Sequence, residues 1–487
     1  MGDSEVNVRA LQLQVNGQPD EVVTPRLIKW LVIAIVIVMP YQVVRLPVLQ
    51  WGDIVDIVIL LLLVVGWGII WWERRPVRFP LFIPFVLIVV GSLLGTMGGL
   101  DRGEALSTLA RDIYVWMLFY TVVNLVRGQK FLHTVVRVWV VVAVLQSGLI
   151  IWASTATAGR ESHRVRGLAD KQVLQALEVP SLAEMPSEYK QAMNVVKRKQ
   201  ISSYGPFTPG GASPGTFANH DFAASYLGQS FFLALVMPLE RRRWLRLVAA
   251  GLIFYAAFST GVSAVAVVPV ALGLYILLIS SPRMRLFLVV AAALAISLAL
   301  LFLQVTPYLV ESDLFETLEL SKSRAIADLE AGLKDRGQLL GESWREFRER
   351  PLGLGPHGLR ASDVEKNVHN EYMAYLVERG FLGLTGLLLM YLMFAATALT
   401  SMWRGDRAHR VLMAGLIAAF TVQVLFDLAH EILRQRYVWM LLILMFIYAD
   451  LERHRSQAQR QATMARQWPW AYPDHKLRPD SFPKMLF

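Results

Sequence analysis

The sequence predicts an all-α, polytopic membrane protein of about twelve transmembrane helices, and three observations carry that expectation. The first is composition: of 487 residues, 55% are hydrophobic and only 18% charged, too apolar a balance for an ordinary soluble enzyme. The second is the recurrence of apolar runs near the ~20 residues that a spanning helix needs. The third is the distribution of charge. Lys and Arg number 48 against 38 Asp and Glu, and the excess gathers in alternate loops, which reads as membrane topology rather than nucleic-acid binding.

The runs, in chain order, are Leu27–Val44, Ile54–Trp72, Leu81–Gly98, Ala105–Val126, Phe131–Ala153, Phe222–Leu239, Leu245–Phe258, Ser263–Ser280, Leu286–Val305, Phe381–Leu399, Val411–Leu428 and Tyr437–Leu451. The break between the seventh and eighth rests only on Ser259, Thr260 and Gly261, so one long bent element is the alternative. With a cytoplasmic N-terminus, the inside loops hold Arg74, Arg75 and Arg78; Arg127 and Lys130; Arg241, Arg242, Arg243 and Arg246; Arg283 and Arg285; and Arg404, Arg407 and Arg410. The short outside loops hold only Arg45, Arg102, Arg434 and Arg436. The positive-inside rule then places both termini in the cytoplasm. The organisation expected is an N-terminal tail over 1–26, a five-helix bundle over 27–153, a first outer loop over 154–221, four central helices over 222–305, a second outer loop over 306–380, three helices over 381–451 and a basic tail over 452–487. Residues 1–26 show no cleavage pattern, so the first apolar segment is expected to be a retained anchor. The absence of cysteine excludes disulfides, cysteine-ligated zinc and thiol catalysis within this sequence.

Both outer loops exceed the length of a mere connector, which points to function. The second reads as helical over Glu311–Arg350 and is stopped by Pro351-Leu352-Gly353-Leu354-Gly355-Pro356. Then comes His369-Asn370-Glu371, a polar triplet at the mouth of an apolar run. His369 is the best candidate for proton chemistry, because imidazole titrates near neutrality and accepts a proton from an attacking hydroxyl. Glu371 either orients that ring or is itself the base. The plainer reading of the triplet is a helix start in which His369 or Asn370 satisfies open backbone donors.

The outer arginines form a second constellation, with guanidinium forks suited to phosphate oxygens. Arg336 and Arg350 lie in the second loop, Arg434 and Arg436 in the short loop before the last run, and Arg164 and Arg166 in the first loop. The plainer reading is that most pair with neighbouring acids. Asn219 and His220 open the sixth run, where capping by Asn219 competes with substrate contact. Arg111 and Asp112 inside the fourth run either face a cavity or pair with each other, and neither is assigned to chemistry. No metal-ligand spacing is present, since His357 and His369 lack a second carboxylate at ligand distance.

Three blocks together resemble the O-antigen ligase and Wzy-type polymerase superfamily of bacterial surface-glycan assembly: Gly215–Leu227 with Gly-Thr-Phe-Ala-Asn; Arg336 through Arg350-Pro351-Leu352-Gly353-Leu354-Gly355; and His369-Asn370-Glu371 through Glu378-Arg379-Gly380-Phe381-Leu382-Gly383. The likeness runs over roughly Thr208–Asp450. It implies a GT-C-like architecture and a metal-independent, inverting glycosyltransferase of the inner membrane, with no cofactor and no nucleic acid. The implied partners are an undecaprenyl-diphosphate-linked glycan donor, a glycan or lipid-linked acceptor, membrane lipids and a chain-length regulator. By the same resemblance, His369 would activate or position the acceptor and Arg336 would neutralise the diphosphate. Family arginines expected before the Gly-Thr-Phe block and after the seventh run are replaced here by Gly210-Gly211-Ala212 and Val262-Ser263. Arg164 or Arg166, and Arg434 or Arg436, are the candidates to stand in for them. Two rival readings are a lipid-linked-sugar transporter or flippase, and a mannosyltransferase-like enzyme relying on Asp53 and Asp56.

Overall fold

In a computed structural model of the chain, the described residues are 24–41, 53–99, 101–155, 216–217, 219–238, 243–260, 265, 267–281, 339–356, 358 and 370–467. Among them the regular elements are helices, with no sheet. They are α1 (Arg26–Val38), α2 (Ile54–Trp72), α3 (Phe82–Gly98), α4 (Arg102–Leu125), α5 (Gln129–Thr155), α6 (His220–Val236), α7 (Arg243–Ser259), α8 (Val267–Ile279), α9 (339–349), α10 (Glu371–Arg404), α11 (Arg407–Phe426) and α12 (Arg436–Gln467).

Among the described residues, the expected twelve transmembrane spans in a GT-C-like architecture are not found. Among the described residues four helices are long and apolar enough to cross a membrane: Ile54–Trp72, Gln129–Ala153, Glu371–Arg404 and Arg407–Phe426. The reasons are length and charge. Helices α1 and α8 have 13 residues each, and α3, α6 and α7 have 17, short of the ~20 needed. Helix α4 is longer but carries Arg102, Glu104, Arg111 and Asp112, and α12 runs on into the basic tail as far as Gln467. The run Leu286–Val305 and most of the helical stretch expected over Glu311–Arg350 lie outside the described residues.

The chain divides into two compact units. The first comprises Met1–Arg78, Leu118–Val268 and Gln435–Phe487. In it α1 packs on α2 and α5, and α6 packs on α5 and α7. Its centre is aromatic: the Trp139 and Tyr226 rings stack at 5.8 Å, the Trp139 indole donates to Ser230 Oγ at 2.8 Å, and Tyr437 meets Tyr226 edge-on at 5.6 Å. Helix α2 starts at a reciprocal cap in which Asp53 accepts from the Asp56 N–H and Asp56 accepts from the Asp53 N–H.

The second unit comprises Phe79–Met117 and Pro269–Arg434. It is organised by the packing of α3 against α10, which also packs on α11. Small residues on α3 allow the approach, as they do where membrane helices pack without a hydrophobic driving force. A Cβ added at Gly91 would stand 2.6 Å from the Arg379 carbonyl oxygen, and one at Gly95 would stand 2.5 Å from that of Glu378.

Candidate functional site

Helix α10 is broken at Gly380, whose φ of 65° and ψ of −169° lie outside the helical region. A short polar segment, Glu371–Arg379, therefore precedes the long apolar one. The break leaves carbonyls of the preceding turn without helical donors. The Pro-Leu-Gly-Leu-Gly turn supplies them: the Leu354 N–H donates to Val377 at 2.9 Å and the Gly355 N–H to Glu378 at 2.8 Å. The turn reaches that geometry through Gly353 and Gly355, with φ of 100° and 81°. A side chain at Gly380 would strike the Pro351 carbonyl at 2.6 Å, so turn and break are fitted to each other.

The break sets Glu378 and Arg379 within a charged cluster. Arg379 is fully buried. Its guanidinium pairs with Asp112 of α4, donates to Ser92 Oγ of α3 at 3.1 Å, and lies over the Tyr375 ring at 4.2 Å. Asp112 accepts a second arginine on its other oxygen, Arg434 Nε at 3.0 Å. Arg434 Nη2 stands 3.9 Å from Glu378 Oε2, and 29% of the Arg434 side chain reaches solvent. Burial opposes charge on Arg434, yet Asp112, then Glu378 and Glu371, outweigh it and hold its pKa above the ordinary arginine value.

Beside this cluster sits the start of α10. Asn370 caps the helix, accepting from the Met373 N–H at 3.0 Å and donating to the Leu428 carbonyl at 3.1 Å. Glu371 is buried; its carboxylate accepts from the Leu433 N–H at 3.3 Å, and its own N–H donates to the Asp427 carbonyl at 2.8 Å. Asp427, after the end of α11, accepts from Gln423 Nε2 at 2.8 Å and from the Tyr391 hydroxyl. Burial, then the charge of Glu371, pushes the Asp427 carboxyl well above the usual range.

Of the residues expected from the sequence to act, Glu371, Asn370 and Arg434 come together in this unit. Arg350 is exposed at the end of α9, outside that network, its backbone N–H bonded to Glu346. Arg436 lies in the first unit, where Nη2 meets both Asp56 oxygens at 2.7 Å and Asp53 at 3.9 Å. Those are the two carboxylates on which the mannosyltransferase-like reading depends. Asn219 caps α6, accepting from the Asp221 N–H at 2.9 Å. His369, Arg336, Arg164 and Arg166 lie outside the described residues. Of the two readings of Arg111 and Asp112, the mutual pair does not form, because Arg111 is exposed on α4 while Asp112 turns to Arg379 and Arg434. Arg379 stands in one of the sequence blocks that carry the resemblance, but sequence reasoning assigned it no role of its own. Its signal was Asp112, a lone acid in an apolar run that demands a buried cation. Among the described residues no group of three or more His, Asp or Glu is placed to hold a metal ion.

No curated protein matches the chain. Residues 245–388, a stretch that takes in Glu371, Glu378, Arg379 and the Gly380 break, match the family model described as O-antigen ligase.

Proposed function

We propose that the protein is an inner-membrane glycosyltransferase that moves a glycan from an undecaprenyl-diphosphate carrier to an acceptor hydroxyl at the periplasmic face. The observation that carries this reading is the family match over residues 245–388, which contains the polar segment at the start of α10. In the proposed reaction the acceptor oxygen bonds to the anomeric carbon as the bond from that carbon to the diphosphate oxygen breaks, with inversion. His369 takes the acceptor proton, assisted by Glu371, and the departing diphosphate takes the electron pair. Arginines meet its charge without a metal, Arg434 first among those described, with Arg336, Arg350, Arg164 and Arg166 as further candidates. Stabilising such a leaving group is the largest electrostatic demand of the reaction.

The orientation is supported span by span. Helix α2 ends at Trp72 just before Arg74, Arg75 and Arg78, and α5 starts beside Arg127 and Lys130. Helices α10 and α11 meet at Arg404, Arg407 and Arg410, while their opposite ends carry Glu371 and Asp427. Each span thus has one basic end, which the positive-inside rule assigns to the cytoplasm.

Two acceptors are consistent with this chemistry. Extension of O-antigen or exopolysaccharide by a polymerase is our leading reading, and transfer to lipid A-core is favoured by the description of the matching family model. Protein reconstituted with purified carrier-linked glycan should release undecaprenyl diphosphate. Longer carrier-linked chains then identify a polymerase, and product formed only when lipid A-core is added identifies a ligase. Glycan that crosses the bilayer with no covalent change would overturn the proposal in favour of a flippase. His369→Ala should abolish release while leaving the protein inserted.

A further inference from the structure

The strongest unassigned feature lies in the first unit, where two candidate spans begin and end together. Helix α2 finishes at Trp72, with Trp71 and Trp72 82% and 84% exposed, and α5 starts at Gln129. Exposed tryptophans at a span end mark the headgroup level of a bilayer. At this level two arginines are anchored through their backbones. The Arg78 N–H donates to Asn124 Oδ1 at 2.8 Å, and Asn124 Nδ2 returns a bond to the Arg78 carbonyl at 2.9 Å. Thr24 does the same for Arg127, its hydroxyl donating to the Arg127 carbonyl at 2.8 Å and accepting the Arg127 N–H at 3.0 Å. The chain turns sharply just after, at Gly128 with φ 106°.

The charges held there do not balance. Arg78 pairs with Asp450 at 3.2 Å, and that carboxylate is shared with His454 at 3.5 Å. Arg75 pairs with Glu73. The Arg127 guanidinium has a buried Nε without a hydrogen-bond partner. Burial, then the like charge of Arg78, lowers the Arg127 pKa; Asp450 works against this and Arg75 adds to it. Lys130, exposed on the first turn of α5, adds one more cation. A half-buried guanidinium with an unpartnered donor, among more cations than the single carboxylate of Asp450 answers, suits an anion with several acceptor oxygens.

We infer that Arg127 and Arg78 form a binding site for the phosphate of an anionic phospholipid headgroup, at the basic end of α2 and α5. The two backbone clamps fix the main chain from which both arginine side chains project before the lipid arrives, which lowers the ordering cost of binding. The lipid's chains lie along the apolar faces of the spans, and its phosphate meets the half-buried Arg127 guanidinium and its positive surroundings. This site is independent of the glycosyl-transfer reading and fails or stands separately from it.

The test uses full-length protein in bilayer discs of mixed phosphatidylcholine and phosphatidylglycerol, with retained lipid counted by native mass spectrometry. The wild-type protein should keep phosphatidylglycerol in preference to phosphatidylcholine, and Arg127→Gln should lose about tenfold of that preference, the equivalent of one charge-assisted hydrogen bond. Equal retention of the two lipids by the wild-type protein overturns the site without recourse to any variant. An unchanged preference in Arg127→Gln overturns the assignment to Arg127. Added inorganic phosphate should leave the retained lipid in place; phosphate that displaces it would assign the forks to a soluble anion and overturn the lipid.

Discussion

Arg379 carries a positive charge at a position with no exposure, and Asp112 is the carboxylate that answers it. Removing one partner of a buried pair costs more than the pair contributes, about 3–5 kcal/mol, because the remaining charge is left uncompensated. Asp112→Ala should therefore lower the unfolding temperature in detergent sharply, whereas Arg434→Lys, which keeps a charge but gives up the Nε bond to Asp112, should leave that temperature nearly unchanged. In the proposed reaction the same Lys variant should lower turnover about tenfold, since an ammonium does not reproduce a guanidinium fork. Asp427 gives a pH dependence of definite sign. Its carboxyl is raised in the native protein, so above the ordinary carboxylate range the native state binds more protons than the unfolded one. Stability then falls as pH rises through that window. Asp427→Asn keeps an acceptor for Gln423 and should flatten the slope, as read from melting temperatures across a pH series.

At the scale of elements, the break in α10 joins two sequence blocks that look unrelated when read along the chain. The Pro351–Pro356 turn reads as a helix stop, which it is, since α9 ends at residue 349. Its second role, donating two N–H groups to the turn before Gly380, is a long-range pairing that no local pattern encodes. Periodicity places the apolar run from Phe381, yet the helix starts ten residues earlier, because Asn370 caps it and the polar segment is sheltered by α3 and α11 rather than by lipid. Asp112 was visible as a charge out of place, but its partner was not, because Glu378-Arg379-Gly380 has the composition of an ordinary interfacial helix end. Gly380→Ala tests the element directly. A left-handed φ costs a non-glycine residue about 1–2 kcal/mol, and the added Cβ meets the Pro351 carbonyl at 2.6 Å. The expected result is a lower melting temperature and lost activity.

At the scale of the whole molecule, hydropathy marks where the helices of the described residues lie but overstates how many of those helices are long and apolar enough to cross a bilayer. The run Leu27–Val44 is mostly apolar, yet its helix is α1, 13 residues ending at Val38. What survives is the charge asymmetry of the four long apolar helices, and because the sequence contains no cysteine, a single introduced one reports alone. Leu428 is 55% exposed beside the Asn370 cap, and Arg407 is exposed at the opposite end of α11. The proposed orientation expects Leu428→Cys to react with a membrane-impermeant maleimide in cells whose outer membrane alone is opened. Arg407→Cys should react only after the inner membrane is broken as well. The reverse pattern would put the Arg434 cluster in the cytoplasm, where the carrier-linked glycan of the proposed reaction does not meet its acceptor.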